Sequence, residues 1–231
     1  MSGSIVQSTS IVVGGDSPGT GLTATLSSTT EGNAIVLIFS DASGLNPSFS
    51  DNVNGTYTQL NRFTFNDGTF THSFQAYLFL DGAGGTLTIQ STAEVFFFGG
   101  FLALEVNGPG SGTFAEATAT SQIAPGVGTN VLSVGPPSTN NTVPSFVIGS
   151  SGCLGSTDVQ TTAGTGYTNY TGEPSYNSNI VFANITAPST AVLFSVPTDG
   201  SETYLMIDIV LGLATTSPSL LRTDGIFFGM T

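Results

Sequence analysis

Lysine is missing altogether from this 231-residue chain, and Arg62 and Arg222 are its only strong cations. Against them stand 15 carboxylates, which leaves a formal net charge of -13. Affinity for DNA and RNA comes largely from lysine and arginine neutralising phosphates, so direct nucleic-acid binding is excluded as a role. The same deficit argues against docking on an anionic membrane surface. Cysteine is equally scarce: Cys153 stands alone, so the chain forms neither an internal disulfide nor a cysteine-based metal cluster. His72 is the single histidine, and tryptophan is absent. The longest apolar run, VFFFGGFLALEV from Val95 to Val106, falls well short of the ~20 residues a membrane helix needs. Met1 to Val13 lacks the basic start and apolar centre of a secretory signal, which predicts synthesis in the cytoplasm without a signal peptide.

What the chain does have is turn formers and strand formers. Its 30 Gly and 11 Pro leave no stretch free of both longer than 13 residues, too little for ordinary helices. Its 28 Ser and 34 Thr are accompanied by 17 Phe and 6 Tyr, an aromatic content that sets it apart from disordered chains. Short segments of strand pattern recur with turn chemistry between them. Leu22, Ala24 and Leu26 alternate with polar residues; Ala34 to Phe39 is continuously apolar, so both of its faces should be covered. Tyr57 to Phe65 and Ser73 to Leu80 flank the turn Asn66-Asp67-Gly68, and Thr86 to Gln90 alternates again. These features predict an all-β protein, a jelly-roll-like antiparallel β-sandwich.

The pattern also runs twice. Asn33 to Ser40 resembles Val143 to Ser150, Gly55 to Leu60 resembles Thr165 to Tyr170, and Phe101 to Val106 resembles Leu205 to Val210. Two pseudo-repeated halves, about 22–108 and 113–213, would each contribute strands to both sheets of one domain over 1–213. Beyond it, 214–231 reads as an apolar C-terminal arm carrying Leu220, Leu221, Ile226, Phe227, Phe228 and Met230, suited to packing on a neighbouring subunit. The first strand, with Ile5 and Val6, is the other candidate assembly surface.

Signals for chemistry are weak. His72 lies at a strand start with no G-x-S-x-G elbow to complete a triad, and nothing in the sequence would activate Cys153. Glu105 and Asp208 occupy matching places in the two halves, each inside an apolar strand. Symmetric placement favours a repeated structural role, such as holding a loop by its backbone N–H groups, over an acid and base pair that must differ in environment. The aspartates of the turns, Asp67, Asp81 and Asp199, do not form a calcium-loop pattern. The expectation is a non-enzymatic protein that binds no cofactor. Tyr57, Tyr167, Tyr170 and Tyr176 are the residues that could stack on a glycan.

One segment is more specific. Ser48 to Leu60, SFSDNVNGTYTQL, resembles the V-x-D-x-x-G-N-T-Y-T signature of a β-sandwich family found among bacteriophage structural proteins and some bacterial surface proteins. The chain departs from it in reading Val53-Asn54-Gly55 where the pattern has Gly-Asn. Gly32 to Leu37 resembles the strand that precedes the signature, Tyr77 to Gly85 the strand that follows it, and Leu104 to Gly108 the family's V-x-E-x-x-G strand. The resemblance implies a virion component, a capsid-decoration or tail-associated protein on the particle surface. Its partners would be further copies of itself or the major capsid or tail protein. Two other roles suit the same fold, a glycan-binding module for host attachment and a subunit of an extracellular filament whose first strand completes a neighbour's sheet.

Overall fold

A computed structural model describes residues 2–13, 21–92, 99–109, 113–123, 130–135, 144–154, 161–171, 178–185, 191–196 and 203–213. The described residues form an all-β protein of packed antiparallel sheets. The first half contributes β1 (Ser4–Val13), β2 (Thr23–Thr29), β3 (Ala34–Asp41), β4 (Phe49–Asp51), β5 (Gly55–Thr56), β6 (Thr58–Asn66), β7 (Thr71–Phe79), β8 (Gly85–Ser91) and β9 (Gly99–Asn107). The second contributes β10 (Ala115–Ile123), β11 (Asn130–Val134), β12 (Ser145–Leu154), β13 (Thr162–Ala163), β14 (Thr168–Asn169), β15 (Ser178–Ile185), β16 (Val192–Val196) and β17 (Thr203–Gly212).

Each half builds its own pair of sheets. In the first, a five-stranded sheet β1-β9-β3-β7-β6 faces a four-stranded sheet β2-β8-β4-β5. In the second, a five-stranded sheet β10-β17-β12-β15-β14 faces a three-stranded sheet β11-β16-β13. The two large sheets therefore share one strand order, element for element. The expectation that both halves feed strands into two common sheets is corrected, because among the described residues no sheet mixes the halves.

The reason lies in the continuously apolar strands. Successive side chains of a strand point to opposite faces, so a run such as Ala34 to Phe39 needs a covering layer on each side. Ile35, Leu37 and Phe39 face Leu22, Leu26, Leu87 and Ile89 inside the first sandwich. Ala34, Val36 and Ile38 point the other way, into a central core with Phe146, Ile148, Ile207 and Ile209 from the second half. A third core, with Leu132, Val147, Phe194 and Met206, fills the second sandwich. Two sheets cannot cover both faces of such strands; four layers with three cores do.

The central seam pairs the large sheets in opposite order. Near one edge the Asn61 side-chain amide of β6 donates to the Ala117 carbonyl of β10 at 2.9 Å. Near the other, the Tyr170 hydroxyl just after β14 reaches Ser8 of β1 at 3.2 Å. Exchanging the halves turns one contact into the other, which is the self-complementarity of a twofold interface realised within one chain. The amino-terminal end is tied into the seam as well: Gly3 donates its N–H to Asn184 of β15 at 2.7 Å and accepts from its amide at 3.0 Å. Any side chain at Gly3 would collide with the ring of Phe146.

Candidate interaction surface

Strand β1 is the outermost strand of its large sheet, pairing with β9 alone. Among the described residues no strand hydrogen-bonds to its outer edge. Its register slips between Ile5 and Gln7, so Val6 is the extra residue of a β-bulge. The bulge separates the two side chains expected at the surface. Ile5 opposes Val106 and packs against the central core, whereas Val6 is 50% exposed, and Val12 near the other end of the strand is 46% exposed. The open surface of β1 thus belongs to Val6 and Val12, with Ile5 half committed to the chain's own core. Leu220, Leu221, Ile226, Phe227, Phe228 and Met230 lie outside the described residues.

The Ser48 to Leu60 segment folds into a small turn centred on the Asp51 carboxylate, which bonds both backbone and side chains. Asp51 ends β4 and accepts the N–H groups of Val53 at 2.7 Å and Asn54 at 2.5 Å on one oxygen. Its other oxygen accepts the Asn54 amide at 2.9 Å and the hydroxyl of the buried Tyr57 at 2.7 Å. Burial alone would raise the Asp51 pKa, but these bonds outweigh it and hold the carboxyl below its ordinary value. Gly55 takes φ +93°, the left-handed conformation open to glycine, so the departure from the Gly-Asn order moves the glycine to the position that needs it. Asn52 and Asn54 then accept the N–H groups of Thr88 and Ala83, pinning the turn to β8 and the loop that leads into it. The signature is a folding device.

Glu105 and Asp208 both point to the inner faces of their sandwiches, yet their surroundings differ. Glu105 is fully buried and accepts the Thr30 N–H at 2.7 Å and the side-chain amides of Asn33 and Gln7, each at 2.6 Å. It clamps the β2–β3 turn and β1 onto β9. Asp208 is also fully buried, but neither of its oxygens has a hydrogen-bond partner. It stands mid-strand opposite Gly149 and Thr118, and burial pushes its pKa up to about 8.

Sequence reasoning missed a third polar cluster. Along β7, Ser73, Gln75 and Tyr77 alternate with apolar Phe74, Ala76 and Leu78, and this polar row holds the loop after β3. Tyr77 donates to the Pro47 carbonyl and Gln75 to the Leu45 carbonyl, each at 2.5 Å. Ser73 donates to Asp41 at 2.8 Å, and Asp41 also accepts the N–H groups of Gly44 and Leu45 at 3.0 Å. Burial outweighs those bonds and raises the Asp41 pKa. Arg62 donates to the Gly44 carbonyl at 2.9 Å from outside. The signal was present in the alternation S-x-Q-x-Y within an otherwise apolar strand.

The remaining candidates have equally local roles. His72 lies 2.7 Å from Asp67 across the β6–β7 turn, and Asp67 also accepts the N–H groups of Thr69 and Phe70. Those bonds, that from Phe70 foremost and that from His72 next, lower the Asp67 pKa to about 2. Cys153 is near the end of β12, in register with Tyr204. Tyr57 is buried; the Tyr167 hydroxyl donates to the Ala191 carbonyl at 3.1 Å and that of Tyr170 engages Ser8. Asp199 and Tyr176 lie outside the described residues. Among the described residues no three His, Cys, Asp or Glu side chains gather as a metal site would require, and no helix is long and apolar enough to cross a membrane. In comparison with known proteins, no family model matches the chain and no curated protein matches it.

Proposed function

We propose that this chain is a non-enzymatic structural component of a virus particle, a capsid-decoration or tail-associated subunit that assembles with copies of itself or with the particle's major protein. The observation that carries the reading is the use made of the described polar groups. Asp51, Asp67, Glu105, the β7 row and the hydroxyls of Tyr57, Tyr167 and Tyr170 are each spent on backbone or on other side chains of the chain, while among the described residues the outer edge of β1 and its Val6 and Val12 are left available. A strand edge with exposed apolar side chains is a ready template for pairing with another chain. Because β1 already belongs to its own sheet, a neighbour would add to its outer edge rather than receive the strand whole. The glycan-binding alternative draws less support, since Tyr57, Tyr167 and Tyr170 are turned inward.

Analytical ultracentrifugation of the full chain, followed by negative-stain imaging, tests the reading. A closed oligomer or polymer is expected, reduced to folded monomer both by deleting Ser219 to Thr231 and by the pair Val6→Lys and Val12→Lys. A wild-type chain that stays monomeric, alone and when mixed with candidate scaffold particles, overturns it.

A further inference from the structure

The second sandwich holds an acid with nowhere to place its charge. Asp208 shares the inner face of β17 with Tyr204, Met206 and Val210, and its cross-strand neighbours are Thr118 on β10 and Gly149 on β12. The opposing small sheet lies directly over it. A Cβ built on Gly149 would collide with Val192 and Phe194 of that layer, so the apolar cover rests on the bare backbone beside the carboxyl. Among described side chains, the titratable groups on that face are Tyr204 on β17 itself, Glu116 on β10 and Tyr167 ahead of β14. Strands β11, β12, β15 and β16 present uncharged residues there. Burial first, and then the charge of Asp208, push the Tyr167 hydroxyl up to about 12. Among the described residues no arginine is near: Arg62 belongs to β6 in the other half and is engaged with Gly44.

An ionised carboxylate so placed is costly, while a neutral one is only mildly polar. We propose that Asp208 is a pH-sensitive latch of the second sandwich: seated as a neutral acid it lets the small sheet close over β17, and once ionised it drives that half toward opening. The buried acids of the first sandwich are bonded instead: Glu105 through both oxygens, and Asp41, whose pKa burial also raises, by Ser73 and the N–H groups of Gly44 and Leu45. The chain is thereby fitted to acidic surroundings, where protonation also relieves its net negative charge.

The sign follows from linkage. Between about pH 4, where an unfolded aspartate ionises, and about pH 8, the folded protein keeps a proton that the unfolded chain releases. The stabilisation is complete below that window and is lost as pH rises through it, with the unfolding equilibrium constant growing up to about tenfold per pH unit. Urea unfolding of the full chain from pH 4 to 9 is expected to show this slope in the wild type and a much flatter one in Asp208→Asn. At pH 9, amide exchange in β12, β15 and β17 should be several-fold faster in the wild type than in Asp208→Asn, with β3, β7 and β9 unchanged. Carbon-13 titration of the wild-type carboxyl groups, with the Asp208 signal assigned by its loss in Asp208→Asn, should leave that signal unshifted through pH 4 to 7. Equal slopes in the two proteins, or an Asp208 carboxyl titrating in the ordinary range, would overturn the proposal.

Discussion

The two halves of this molecule share a strand order and differ in how they treat polar groups. In the first sandwich the buried Glu105 has three donors, Asp51 has four, and the β7 row secures a loop. In the second, Asp208 has none, and the turn before β14 is held by Tyr167 bonding a plain carbonyl. The comparison teaches that apolar patterning carries the topology, since it is the element both halves have in common. Polar networks fix local turns, as Asp51, Glu105 and the β7 row do in the first half.

The comparison is broken most severely at the seam. Phe146 is fully buried in the central core, its ring tilted against that of Phe182 with centroids 5.8 Å apart and covered by Gly3 of the first half. Phe146→Ala should cost about 3–5 kcal/mol. Calorimetry should still record one transition, because the shared core couples the halves; two resolved transitions would show them to be energetically separate.

The next effect is confined to the first half. Glu105→Ala leaves the Thr30 N–H and two side-chain amides without their acceptor and should cost about 2–4 kcal/mol by chemical denaturation. The loss should centre on the β2–β3 turn and β1, seen as faster amide exchange there. A cost under about 0.5 kcal/mol would mean that the clamp is replaced by water and that the two halves are alike in their polar economy after all.

Much of the architecture was legible from apolar periodicity. Strands β1, β3, β7 and β8 fall close to where alternation and turn residues put them, and the doubled pattern corresponds to two sheets of identical order. The number of layers was written in the same residues. Ala34 to Phe39 buries both faces, which a two-sheet sandwich shared by the repeats cannot provide. The carboxylates were harder to read. Glu105 and Asp208 have similar sequence settings, and only three-dimensional neighbours, Asn33 and Gln7 against Gly149 and Thr118, decide which is satisfied. The β1 bulge that turns Val6 outward leaves no mark in the pattern of Ile5-Val6-Gln7, because a bulge is a property of the paired register.

The smallest effect sharpens the contrast between equivalent tyrosines. Tyr57→Phe removes a hydroxyl that donates to a carboxylate, and hydrogen bonds to charged groups contribute about 1.5–3 kcal/mol. Tyr167→Phe removes a bond to a neutral carbonyl, where about 0.5–1.5 kcal/mol is expected. The pair should also separate by pH. Asp51 is held below its ordinary pKa despite burial, so its bonds stabilise the fold above the usual carboxylate range and are lost as pH falls through the lowered value. Tyr57→Phe should therefore cost most near neutral pH and progressively less in acid. Tyr167→Phe has no acid-side counterpart, and its cost should stay level from neutral pH downward. Matching acid profiles for the two variants would mean that the Asp51 carboxylate lends nothing to the turn, and that the two halves close their turns by the same means.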